Sequence, residues 1–248
     1  MQRRLARRWI IWGVFIGVFI WLIASPQVWQ AVLGAAFPGE SRVIYPGASL
    51  AALVAQHVRL VAISSSLALA IGLPLGVWVT RSSGRGFLAI SSDITSFAQS
   101  FPPVAVLALA VPLLGFGTVP TVVALFLYGL LPVVRNTIAG IEAVPCDLLD
   151  AAYGMGMASN VALFRVELPL AAKVIMAGVR TSVIINVGTA MIGAVIGAGG
   201  LGSPIVAGLV QDNIAFVIEG AVPAALLAVI IDQMMGNLEM TLFSYPRR

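Results

Sequence analysis

Long apolar runs without a charge alternate with short charged clusters along this chain, and the runs have bilayer length, roughly 20 residues, rather than the length of a globular core helix. The first run, residues 9–24, follows Arg3, Arg4, Arg7 and Arg8. Its bulk, with Trp9, Trp12, Phe15, Phe19 and Trp21, and the lack of a small-x-small cleavage site predict a retained first span that continues to Leu33. Residues 34–56 carry Pro38, Gly39, Glu40, Arg42, Pro46 and Gly47 and read as an external, turn-rich linker. A second span covers residues 60–79, and Ser82, Ser83 and Gly84 make the inner turn after it. Between Asp93 and Arg135 lie 41 uncharged residues, enough for a third and a fourth span joined at the Gly115 to Pro120 turn. Charges return from Arg135 to Arg180 in a long inner loop. Residues 181–211 are again uncharged, predicting a fifth span that ends near Gly197, and residues 213–235 make a sixth with Glu219 near its outer end and Asp232 near its inner end.

About six spans fit the length. They should all be helices, because unpaired backbone in lipid is too costly and no period-two alternation suggests a barrel. Three glycine pairs at i, i+4 spacing, Gly13 and Gly17, Gly72 and Gly76, Gly193 and Gly197, offer close helix contacts.

Composition agrees with the pattern. The chain is 60% hydrophobic and 10% charged, against roughly 25% charged in soluble domains, and its mean hydropathy is +1.02. A net charge of +4 could point to nucleic acid, but twelve of the fourteen basic residues flank the runs on one side and only Arg42 and Arg59 fall on the other. That asymmetry reports topology, with the N- and C-termini on the cytoplasmic face, and no nucleic-acid role follows. The single cysteine, Cys146, excludes an intrachain disulfide and reads as a small neutral filler.

Candidate chemistry concentrates in the inner loop, where residues 150–169 read DAAYGMGMASNVALFRVELP. Asp147 after Pro145 and Cys146 predicts a helix N-cap, and Asp150 favours the same helix start through the dipole. Leu148, Ala152, Met155 and Ser159 share one helical stripe, and Leu149, Ala152 and Gly156 another, a small-residue face with apolar edges that another protein could approach closely. Leu168-Pro169 is expected to end the loop, because proline disfavours helix at the residue before it. The Gly197 to Gly202 stretch matches Gly-x-Gly-x-x-Gly in letters, yet a membrane-length run precedes it where the nucleotide fingerprint needs a strand, so an external turn or re-entrant bend is predicted. No phosphate loop accompanies the sole lysine, Lys173, so this chain is not its own ATPase. Ser100, Phe101, Pro102 and Pro103 place two prolines early in the third span, a break of the kind that lines a translocation path. His57 reads as an external interface anchor and Glu219 as the most membrane-exposed acid; no metal site is expected.

Asp150, Ala151, Ala152, Gly156, Val166, Leu168 and Pro169 together resemble the cytoplasmic Glu-Ala-Ala loop of type I ABC importer permeases, with every spacing kept and with Asp for Glu and Val for Ile as the two departures. Residues 117–141 and 167–202 resemble permeases of the osmoprotectant branch, which serves glycine betaine, choline and carnitine, and the first span and linker are similar to its longer, YehW-like members. The resemblance implies an all-α integral membrane protein of MetI-like permease fold in a bacterial inner membrane. Residues 1–56 would be an anchor helix and external linker, 57–238 the transmembrane domain with its coupling loop at 142–169, and 239–248 a cytoplasmic tail. It implies a non-catalytic subunit that moves a small osmoprotectant inward. Its partners would be an ABC ATPase that docks at the loop and itself binds ATP and Mg, a second permease of the same or a different chain, and an external substrate-binding protein. An importer of amino acids or another small polar solute, and an ion-coupled secondary transporter relying on Glu219 and Asp232, are the alternatives.

Overall fold

The computed structural model describes residues 2–87 and 101–242, with side chains from residue 9 onward. Every regular element among the described residues is helical, as a backbone in lipid requires. In chain order these are α1 (Gln2–Ala24), α2 (Pro26–Ala36), α3 (Leu50–Val79), α4 (Pro103–Leu114), α5 (Thr118–Glu142) and α6 (Cys146–Gly154), then α7 (Ser159–Thr189), α8 (Gly202–Gln211) and α9 (Ile214–Leu242). Helices α3, α5, α7 and α9 are long and apolar enough to cross a membrane, and the α1–α2 pair counts as a fifth span if its 77° bend is bridged. The expected third span is represented by the twelve residues of α4; residues 94–100 of it, Ser100 included, lie outside the described residues.

Several span boundaries differ from expectation: the fifth span ends at Thr189 and not near Gly197, the sixth runs on to Leu242, and the first two differ as well. The first span stops at Ala24 and does not run on to Leu33, because Pro26 lacks an amide donor and starts a new helix that turns away. The Trp29 indole N–H bridges the break by donating to the Leu22 carbonyl at 3.0 Å. The second begins ten residues early, at Leu50, where the Ser49 hydroxyl accepts the Ala52 N–H at 3.3 Å.

Helices α3, α5 and α7 form the centre, with α9 against α7 and α1 against α9. Their approach is set by glycine. A Cβ at Gly76 would lie 2.6 Å from the Thr137 Cβ, and one at Gly72 would lie 3.0 Å from Val133. On the α5–α7 side, a Cβ at Gly178 would meet the Asn136 Cβ at 2.5 Å. Of the three predicted pairs, then, Gly72 and Gly76 make a true crossing. Nothing lies within 4 Å of Gly13 or Gly17; of the third pair, Gly193 is close-packed, since a Cβ there would lie 2.5 Å from the Thr121 side chain of α5, whereas Gly197 has left the helix with a φ of +80°. Inside the crossing, the Asn186 amide donates to the Ser65 hydroxyl at 2.9 Å, a polar tie between α3 and α7.

The two ends of the bundle differ. At one end, the 197–202 turn bends through left-handed glycines, its Gly200 N–H donating to Gln56 at 3.1 Å, and leads into α8 instead of cradling a phosphate. The 37–49 linker is fastened at this same end, with Asn213 donating to the Arg42 carbonyl at 2.8 Å and the Tyr45 N–H donating to Glu219 at 2.7 Å. Glu219 is therefore buried, 2% exposed, and does not face the membrane: the folded linker covers it. His57 is fully buried as well, its Nε2 3.0 Å from the Val187 carbonyl, and is a core residue instead of an interface anchor. At the opposite end, Arg180 forks onto Asp232 with contacts of 2.8 and 2.7 Å and joins α7 to α9.

If glycine sets the α3–α5 distance, Gly76→Leu should cost about 1–3 kcal/mol through overpacking, lowering the thermal unfolding midpoint of detergent-purified protein. Gly13→Leu, made where no neighbour is near, should leave that midpoint unchanged.

Candidate functional site

The loop between α5 and α7 is an ordered unit built on the short helix α6. Pro145 is its N-cap, with φ −59° and ψ 132° and no side-chain cap bond, so Asp147 does not cap the helix as expected; it sits within the first turn and acts only on the dipole. The C-terminus closes with two reversed bonds: the Gly156 N–H donates to the Tyr153 carbonyl at 2.9 Å, and the Met157 N–H to the Ala152 carbonyl at 3.1 Å. This is a Schellman cap, and it places Gly156 at the position that needs a left-handed backbone, observed at φ +82°. The spacing from the second alanine to the glycine is thus that of the last turn plus its cap. No atom lies within 4 Å of where a Gly156 Cβ would stand, so conformation, not crowding, selects glycine here.

The seven motif residues divide by environment. Ala152 is 1% exposed and packs inward, whereas Asp150 and Ala151 face out. The predicted stripe therefore splits, with Ala152 turned to the bundle and Leu148 and Met155 to solvent. Met155 at 71% and Phe164 at 68% exposure, with Tyr153 and Leu148, are exposed apolar side chains on this segment, which also carries the exposed acids Asp147 and Asp150. The apolar character of Tyr153 and Phe164 is visible in the sequence, but only the fold turns them outward.

Past the cap, α7 begins at Ser159, ten residues before Pro169, so the proline does not end the loop. It is accommodated because residues 163–167 form a π turn, with the Leu168 N–H bonded to the Leu163 carbonyl, which widens the helix just ahead of a residue that cannot donate. Val166 and Leu168 are half-buried in this stretch and Pro169 is exposed.

Glu167, inside the π turn, is 3% exposed and receives both arms of Arg81, one at 2.9 Å to Oε1 and the second to Oε2. Arg81 stands just past the end of α3 and is steadied by the Thr80 hydroxyl at 3.2 and 3.3 Å. Hydrogen bonding to Glu167 raises the Arg81 pKa further, so the guanidinium stays charged. This bidentate pair fastens the loop to a spanning helix. Neither residue was expected to matter, since nothing local links positions 86 apart.

Of the residues proposed to break the third span, Ser100 lies outside the described residues and Phe101 is brought to the middle of α5. The Tyr128 hydroxyl donates to the Phe101 carbonyl, Pro102 is extended at φ −63° and ψ 137°, and Pro103 opens α4. A non-helical step therefore lies at mid-depth of the bundle, which backbone in lipid tolerates only against protein or a cavity.

The ion pair yields a quantitative expectation. Arg81→Ala strands a buried carboxylate and should cost about 3 kcal/mol, whereas the double variant Arg81→Ala/Glu167→Leu should recover part of that loss in a thermal double-mutant cycle.

Comparison with known proteins agrees with this architecture. Residues 72–243 match the family model described as binding-protein-dependent transport system inner membrane component. The choline transport system permease protein OpuBB of Bacillus subtilis is 43% identical over 188 residues, 75% of this chain and 85% of that protein. The osmoprotectant import permease protein OsmW of Salmonella typhimurium is 39% identical over 198 residues, covering 78% and 91%. Among solved structures, the inward-facing MetNI methionine ABC transporter superposes with a TM-score of 0.70 at 22% identity, over 78% of this chain and 95% of that one, a likeness of fold. The chain belongs to the family of binding-protein-dependent transport system inner membrane components, the non-catalytic, multi-pass membrane permeases of ABC importers.

Proposed function

We propose that this permease moves a small osmoprotectant, such as glycine betaine or choline, into the cytoplasm, driven by a separate ATPase that docks on α6. The observation that carries the coupling role is mechanical: the Schellman-capped helix α6, with exposed apolar side chains, is joined through the short 155–158 link to α7, and α7 is clamped to α3 through Arg81 and Glu167. A push on α6 is therefore delivered to two spanning helices at once. Asp150, Ala151, Ala152, Gly156, Val166, Leu168 and Pro169 build that lever, some by facing the partner and some by holding shape. ATP and Mg are bound by the partner, whose energy has no other evident entry into a chain without a phosphate loop.

The solute class is supported by the relatives' names, which include choline, osmoprotectant and glycine betaine/carnitine/choline transport permeases. The remaining partners are a second permease, the same or a different chain, and an external protein that hands over solute. The charge asymmetry supports a bacterial inner-membrane topology with both termini and α6 in the cytoplasm. Residues 1–56 act as an added anchor and linker on a transport core at 57–238, and the Phe101 to Pro103 step, with Ser100 before it, borders the solute path.

Two measurements test this reading. A left-handed valine is strained by about 1–2 kcal/mol, roughly a tenfold effect, so Gly156→Val should cut ATP-dependent choline uptake in proteoliposomes about that much. Gly156→Asn, which tolerates the conformation, should keep most of it; equal uptake by both variants would remove the coupling role. A cysteine placed at Ser159 should react with an impermeant maleimide in inverted vesicles and stay unlabelled in intact cells.

A further inference from the structure

Beneath the bend between α1 and α2 lies a cavity of about 420 Å³, within the size range of small-molecule sites, roughly 300–1,000 Å³. Ile23 of α1, Trp29 of α2, Ile44 and Tyr45 of the linker, Leu50 of α3 and Glu219 of α9 all line it. Five elements that are distant in sequence thus converge on one space. Much of its wall, Trp29 and Tyr45 included, falls outside residues 72–243, the stretch shared with the family.

Its chemistry is unusual for the bundle. Glu219 is buried, and its bonded partner is the Tyr45 backbone N–H at 2.7 Å. Among the described residues no basic side chain pairs with it, and none lines the cavity. A carboxylate removed from water without a counter-charge is costly, and a bound cation would offset that cost. The two aromatic residues of the wall are held in place. Trp29 is tied through its indole N–H to Leu22, and the Tyr45 ring meets Phe216 edge to face at 5.9 Å while its hydroxyl folds over Gly47, where a Cβ would collide with it. Aromatic walls with one carboxylate in an otherwise apolar cavity are the setting in which a soft, weakly hydrated cation is favoured over a metal ion.

We propose that this cavity binds a quaternary ammonium group, at a site on the permease itself and separate from the external binding protein. The geometry stands without the transport reading; only the choice of choline as a probe rests on it.

The test uses the full chain purified in detergent, without ATPase or binding protein, titrated with tetramethylammonium, with choline, and with the neutral choline isostere 3,3-dimethylbutan-1-ol. Both cations should give saturable calorimetric binding and raise the thermal unfolding midpoint, and the alcohol should do neither. Glu219→Gln should weaken cation binding about tenfold or more, and Tyr45→Leu should weaken it several-fold. Equal binding of the alcohol, or wild-type titration by both variants, would overturn the site; should Glu219→Gln not fold, Tyr45→Leu decides it. Repeating the tetramethylammonium titration in phosphatidylglycerol and in phosphatidylcholine vesicles identifies the source. Competition in the second alone means a lipid headgroup occupies the site, and equal binding in both means a free solute does. Absence of ATP-driven choline uptake by the complete transporter would count against the proposed function and leave this site untouched.

Discussion

The hydrophobic effect drives each apolar helix into a bilayer but does not drive one helix against another, so this bundle depends on how closely α3, α5 and α7 can approach. Gly72, Gly76 and Gly178 remove the side chains that would hold the axes apart, and Thr137, Val133 and Asn136 fill the space from the facing helices. The same closeness makes the inner polar ties short enough to form. Asn186 reaches Ser65 only because the helices bearing them have closed to contact.

That packing gives the loop a rigid platform. Helix α7 runs unbroken for 31 residues, roughly 46 Å at 1.5 Å per residue, from the loop to the neighbourhood of the glycine turn at the opposite end. Its continuity through Pro169 rests on the π turn, and the π turn also presents Glu167 to Arg81. One local irregularity therefore keeps α7 whole and clamps it to α3.

The opposite end shows a different logic. There the linker is held by Asn213 and Glu219 over the start of α9, and the bent α1–α2 pair packs beside it. This cap adds to the region matched by the family and encloses space lined by tryptophan, tyrosine and a carboxylate. Helices α1 and α2 and the linker, which lie outside the region matched by the family, thus come together in one place.

Much of this architecture was legible in the residues alone. Lipid acts on each segment separately, so hydropathy located the long spans. Turn chemistry was local too, and the glycines at 115–117 and 197–202 do bend the chain. Other features depended on which surfaces meet. The pairing of Arg81 with Glu167, the burial of His57 and Glu219, and the passage of a helix through Pro169 involve partners far apart in the chain or a compensating turn that no single residue announces. Sequence by itself determined what each segment could tolerate in a membrane; tertiary structure decided which polar groups found partners, because hydrogen bonds and ion pairs form across distances that only packing closes.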